Sequence, residues 1–95
     1  MTVKTVGIVG AGTMGNGIAQ VFAQAGFDVK LVDVAQPTLD RARASIEKSL
    51  AKFVEKQKIS ATDRDATLAR IALTTTLDDL GDADLAVEAI VEDQE

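Results

Sequence analysis

A chain of 95 residues, 46% hydrophobic and 26% charged, makes one small globular domain or a piece of a larger one, and hides only about 60–65% of its unfolded surface. A formal net charge of −5, no basic stripe, and three Phe without Trp or Tyr argue against nucleic acid or an anionic membrane as the main partner. Cysteine and histidine are both absent, which removes disulfides, thiolate chemistry and the commonest general base at neutral pH, and fits a cytoplasmic location.

Met1 leads directly into a strand pattern without a charged-then-apolar leader, and no apolar run nears the roughly 18 residues of a membrane span. Residues 3–9 (VKTVGIV) are β-branched and apolar and predict a buried strand ending at Gly10. Met14, Ile18, Val21, Phe22 and Ala25 then fall at helical spacing, with Gly26 as a stop. Residues 28–33 (DVKLVD) predict a second strand ending in a carboxylate. Pro37 opens a long helix whose apolar face (Leu39, Ala42, Ile46, Leu50, Phe53) persists to about residue 56. Ser60 and Asp63 have capping-box spacing for a short helix to about Arg70. A third strand over 71–75 (IALTT), a helical turn over 77–80 (LDDL) and a fourth strand over 85–91 (LAVEAIV) complete the chain. The order β-α-β-α-α-β-α-β predicts an α/β fold with a parallel sheet and helical crossovers.

The first strand-to-helix turn carries G-x-G-x-x-G as Gly10, Gly12 and Gly15. In a dinucleotide-binding fold the first glycine permits the sharp turn. The second lets backbone amides approach a pyrophosphate, and the third lets helix and strand pack closely. The helix behind them would aim its unpaired amides at the phosphates. Glycines alone could serve turn and packing only, but the strand–turn–helix context gives the motif its meaning. Asp33 ends the second strand, where a carboxylate can accept both adenosine ribose hydroxyls. A phosphate loop of the G-x-x-x-x-G-K-[ST] kind is ruled out because Asn16 and Gly17 follow Gly15. With Asp33 repelling a 2′-phosphate, and no Lys or Arg between Val34 and Asp40, NAD is expected rather than NADP.

The stretches "VGIVGAGTMGNGIAQVFAQAGFDVKLVD", "RARASIEKSLAKFVEK" and "DADLAVEAIVED" closely resemble the N-terminal part of bacterial 3-hydroxyacyl-CoA dehydrogenases, particularly the 3-hydroxybutyryl-CoA type, over essentially the whole chain. The resemblance implies a Rossmann-type doubly wound sheet, here its first half with strand order 3-2-1-4. It also implies a two-domain enzyme of roughly three times this length, oxidising the 3-hydroxyl of an acyl-CoA with NAD or running the reverse. Carried over by position, the run Gly10, Ala11, Gly12, Thr13, Met14 and Gly15 would hold the pyrophosphate and Asp33 the adenine ribose. Glu92 would lie near the nicotinamide, and Glu88, on the same strand, is a second cofactor-facing candidate. Ser49 and Lys56 match positions that contact the CoA portion of the substrate. Read without the family, Ser49 is a solvated helix residue and Lys56 belongs to a charged helix end.

The family's catalytic His–Glu pair, its supporting Ser and Asn, and a lysine expected after "VEDQE" have no counterpart in these 95 residues. No catalytic residue is therefore assigned, and no metal. Ending four residues after a predicted strand is not a natural domain boundary. Residues 1–95 are thus expected to be the N-terminal part of an NAD-binding domain, without the rest of that domain or the substrate domain, and inactive alone. The alternatives are a non-catalytic NAD-binding module or a nucleotide-sensing half-domain. Strand 4 would be left as an edge carrying Leu85, Val87 and Ala89, without a proline or inward lysine, so association into a homo-oligomer or aggregate through it, or a marginally stable monomer, is expected.

Overall fold

The apolar strand runs and the amphipathic helices assemble as their order predicts in a computed structural model, which describes residues 4–89. Strands β1 (Thr5–Val9), β2 (Asp28–Val32), β3 (Ile71–Thr74) and β4 (Leu85–Glu88) form one parallel sheet in the order β3-β2-β1-β4. Helix α1 (Thr13–Gln24) connects β1 to β2. Helices α2 (Gln36–Glu55) and α3 (Ala61–Ala69) connect β2 to β3, and a 3-10 helix (Leu77–Asp82) connects β3 to β4. The parallel sheet is the one the element order predicts, and its strand order is the Rossmann-type 3-2-1-4 that the resemblance implies.

The alternation of side chains along a strand sorts the sheet into two faces. Val6 and Ile8 of β1 and Val29 and Leu31 of β2 pack with Ala19 and Ala23 of α1 and with Leu39, Ala42, Ile46 and Leu50 of α2. These form a single buried core, in which each large aliphatic side chain contributes about 1.5–3 kcal/mol. Gly7 faces the other way. A Cβ on it would fall on the Leu80 side chain and come within 3.2 Å of Ala83 Cβ, so the missing side chain lets the 3-10 helix lie flat beneath β1. Lys30 Nζ donates to the Asp79 carbonyl at 2.8 Å and helps fix that helix.

The helix ends follow their local chemistry. Gly26 takes φ 102°, its amide donates to Ala23 O and the Phe27 amide to Phe22 O, both at 3.1 Å. That is a Schellman stop, and the accompanying apolar contact is an edge-to-face pair of Phe22 and Phe27 with ring centres 5.5 Å apart. At α3 both halves of the predicted capping box are present, Asp63 N donating to Ser60 Oγ at 3.0 Å and Ser60 N to Asp63 Oδ2 at 3.3 Å.

Several boundaries differ from expectation. β2 ends at Val32 and β3 at Thr74, each one residue short of the expected strand. β1 begins at Thr5, and residues 1–3 lie outside the described residues. The helical turn expected over 77–80 is a 3-10 helix that runs on to Asp82. β4 ends at Glu88, although the Ala89 amide still donates to Val9 O at 2.8 Å; positions 90 and 91 of the predicted strand lie outside the described residues. The start of the sheet is clamped by Asp84. Its Oδ2 accepts from the Lys4 and Thr5 amides at 2.9 and 3.0 Å, while its own amide donates to Thr5 O at 2.8 Å. The Lys4 and Thr5 amides hold its carboxyl below the usual aspartate value.

Candidate cofactor site

The site lies where the chain leaves the C-terminal end of β1. Gly10 turns with φ 103°, a conformation costly for any residue with a Cβ. Its amide donates to Val32 O at 2.7 Å, tying the turn to the end of β2. Gly12 is the N-cap of α1 and has no side chain with which to cap it, nor does any side chain of the described residues do so. The first amides of α1 have no intrahelical acceptor, and no acidic residue stands in its first turn. A Cβ at Gly15 would fall on the Gly10 carbonyl oxygen and 2.8 Å from its carbon, whereas one at Gly12 would meet nothing within 4 Å. The third glycine is therefore needed for packing, and the second opens a face of the loop.

That face borders a cleft of about 460 Å³ lined by Gly10, Gly12, Thr13, Met14, Asp33, Thr38 and Ala89. Asp33 is half-buried and its carboxylate is already engaged: Oδ2 accepts from the Ala11 amide and Oδ1 from the Ala35 amide, both at 2.9 Å. A carboxylate offers about four lone-pair positions, so two remain for a ligand. Ala11 is buried and spends its amide on Asp33, so it backs the cleft instead of lining it. Gly15 is buried in the same way.

The other expected site residues fall elsewhere. Ser49 is half-buried on α2, where its Oγ accepts from Gln20 Nε2 of α1 at 2.9 Å; it is not the solvated residue its sequence context indicates. Lys56 is exposed at the C-cap of α2. The two are seven residues apart and share a face of the helix. Glu88 is exposed and pairs in register with Val9, away from the cleft lining. Glu92 lies outside the described residues.

Thr38, which the sequence gives no role, and Ala89, which it places only on the edge of strand 4, also line the cleft. Ala89 had a legible signal, since ligands in open α/β sheets bind beyond the carboxyl ends of the strands where the strand order reverses. Thr38 had none beyond its place in the first turn of α2. Arg41, the first cation after Asp33, lines an adjoining cleft behind the glycine turn with Asn16 and Ser45. Among the described residues there is no cluster of three side chains able to hold a metal, and no helix is long and apolar enough to cross a membrane.

A glycine turn, an uncapped helix N-terminus and a carboxylate at the end of the next parallel strand define a dinucleotide-binding α/β protein. The family model described as 3-hydroxyacyl-CoA dehydrogenase, NAD binding domain, matches residues 5–95. The chain is 57% identical over 90 residues to a probable 3-hydroxybutyryl-CoA dehydrogenase of Deinococcus radiodurans, covering 94% of this chain and 32% of the relative. It is 46% identical over 93 residues to the 3-hydroxybutyryl-CoA dehydrogenase of Bradyrhizobium diazoefficiens, covering 98% and 32%. The crystal structure of (S)-3-hydroxybutyryl-CoA dehydrogenase from Ralstonia eutropha superposes with a TM-score of 0.93 at 42% identity, over 97% of this chain and 32% of that one. The chain belongs to the 3-hydroxyacyl-CoA dehydrogenase family as its NAD-binding domain, and it spans about a third of the length of these relatives. The residues around the cleft fit the cofactor: the loop face at Gly12 is open, the helix amides are uncapped and the carboxylate has acceptor capacity left.

Proposed function

We propose that residues 1–95 form the N-terminal part of the NAD-binding domain of a longer 3-hydroxyacyl-CoA dehydrogenase, interconverting 3-hydroxyacyl-CoA and 3-oxoacyl-CoA in the cytoplasm. The observation that carries this is the cleft, which brings together the open side of Gly12, the uncapped start of α1 and the Asp33 carboxylate. The amides of Gly12, Thr13 and Met14 hold the pyrophosphate. Gly10 and Gly15 shape the turn, Ala11 supports it, and Asp33 takes the adenosine ribose. Glu92 stands near the nicotinamide, and Ser49 and Lys56 meet the CoA portion of the substrate. The Ser49 hydroxyl accepts from Gln20 and keeps its own proton to donate.

NAD supplies hydride acceptance when bound; this chain's residues bind and orient it. The chain contains no histidine, and the base that takes the hydroxyl proton belongs to the part of the enzyme outside these residues. Calorimetric titration with NAD tests the binding role, and absorbance at the NADH band with acetoacetyl-CoA tests turnover. NAD binding without turnover is expected. Turnover by the 95-residue chain overturns the assignment of catalysis elsewhere, and absence of NAD binding overturns the reading of the cleft.

A second reading, a non-catalytic NAD-binding half-domain that associates through its sheet edge, is favoured by β4. Leu85 is 42% exposed there and Val87 half-buried, on a strand that pairs only with β1 among the described strands. Ala89 is buried and adds nothing to that exposed edge. Sedimentation that depends on protein concentration, and is abolished by Leu85→Lys, is the expected result of this second reading.

A further inference from the structure

We propose that Asp33 is also a positioning residue for the phosphate loop, so that the ribose end and the pyrophosphate end of the cleft are coupled through one carboxylate. This rests on the reading of the cleft as the NAD site. The carboxylate joins two segments that the sequence keeps apart. Oδ2 holds the amide of Ala11, the residue between the first two glycines, and Oδ1 holds the amide of Ala35, just before α2. With Gly10 N bonded to Val32 O, the glycine turn is tied to the end of β2 by two consecutive amides, one to a backbone carbonyl and one to a carboxylate.

Two consequences follow from the chemistry of that arrangement. Amide-to-carboxylate bonds are charge-assisted and stronger than neutral ones, so the turn is held before any ligand arrives and less ordering is left for binding. The engaged Ala11 amide cannot turn towards the cleft, which leaves the amides of Gly12 and of the first turn of α1 as the phosphate donors. The remaining lone pairs of Asp33 can accept ribose hydroxyls at the same time, so positioning and ribose recognition do not compete. Asp33 therefore raises the affinity for a phosphate-bearing ligand that has no ribose hydroxyl to offer it.

The test compares the parent with Asp33→Asn, using ADP and 2′,3′-dideoxy-ADP as probes at about 0.3 M salt, where loss of the carboxylate charge itself is largely screened. Far-UV circular dichroism checks that the variant is folded. Expected are parent binding of both probes, and a loss in the variant of roughly fivefold for dideoxy-ADP, the size of one net hydrogen bond, with a larger loss for ADP. Amide hydrogen exchange of the unligated protein, at Ala11 and Ala35 against Val29–Val32 as internal reference, reads the same contact directly. Because Asn keeps one acceptor oxygen, exchange is read in Asp33→Ala, which keeps none, and faster exchange confined to Ala11 and Ala35 is expected there. An ADP-only loss, or unchanged exchange at Ala11, overturns the positioning role while leaving the cofactor site standing. Failure of the parent to bind ADP overturns the cleft reading, and the coupling with it.

Discussion

The two glycines of the turn carry opposite predictions, and the geometry sets both. Replacing Gly15 by Ala puts a methyl group on the Gly10 carbonyl oxygen and 2.8 Å from its carbon. Both are backbone atoms of a turn already fixed by the 2.7 Å bond from Gly10 N to Val32 O, so no side-chain rotation relieves the clash. Either α1 or the turn must move by about an ångström or more. Overpacking of this kind costs about 1–3 kcal/mol and more against backbone, while alanine's better helix propensity returns up to about 1 kcal/mol. A net loss of about 2 kcal/mol is a large share of the roughly 5–14 kcal/mol available to a chain of this length, and lowers Tm by about 8–16 °C.

Gly12→Ala behaves differently. Gly12 has φ −69°, open to alanine, and its Cβ would meet nothing within 4 Å. The poorer N-cap and the reduced unfolded-state entropy offset each other to within about 1 kcal/mol. The new methyl projects where a pyrophosphate approaches, and NAD affinity falls about tenfold or more, ~1.4 kcal/mol. Thermal unfolding followed by circular dichroism, with calorimetric titration of NAD, separates the two variants. A Gly15→Ala protein melting within about 2 °C of the parent, or a Gly12→Ala protein that binds NAD unimpaired, refutes the division of labour.

NADP should bind at least about tenfold more weakly than NAD, because its 2′-phosphate meets the Asp33 carboxylate; equal affinities in calorimetry refute this. Ser60→Ala removes the acceptor for the Asp63 amide and should cost about 0.5–2 kcal/mol in urea unfolding, with α3 losing protection first. Asp84 gives a pH dependence. Its carboxyl lies below the ordinary aspartate value, so its contribution to stability is full above that ordinary value and is lost as the pH falls through the lowered one. Asp84→Asn should therefore flatten the acid limb of a stability–pH profile below about pH 4 and leave its shape near neutrality unchanged.

Much of this architecture is legible because it is periodic or local. The switch from apolar runs to 3.6-residue spacing marks each strand-to-helix change, and the Ser60–Asp63 box and the Gly26 stop are encoded within four residues of where they act. The placement of Gly10, Gly12 and Asp33 around one cleft follows from a motif whose context is itself periodic. What escaped the sequence is contact between distant segments. Nothing near Asp33 announces that its carboxylate holds the Ala11 amide 22 positions away. Gly7 reads as an ordinary strand glycine until Leu80 is found beneath it. Ser49 reads as solvated because Gln20, its partner, lies on another helix. Asp84 has no motif at all, and its role appears only when β4 is laid beside β1.

That last pairing has a consequence for the birth of the protein. β1 is made first, and the contacts made by β2 and β3 follow the order of synthesis. The other flank of β1, however, must wait for Asp84 to bond Lys4 and Thr5, 80 and 79 positions further along. At about 5–20 residues per second, a ribosome takes roughly 4–16 s to cover that distance. For that interval the nascent chain carries a hydrophobic strand with one open side, and chaperone occupancy should peak in it and end once β4 has emerged.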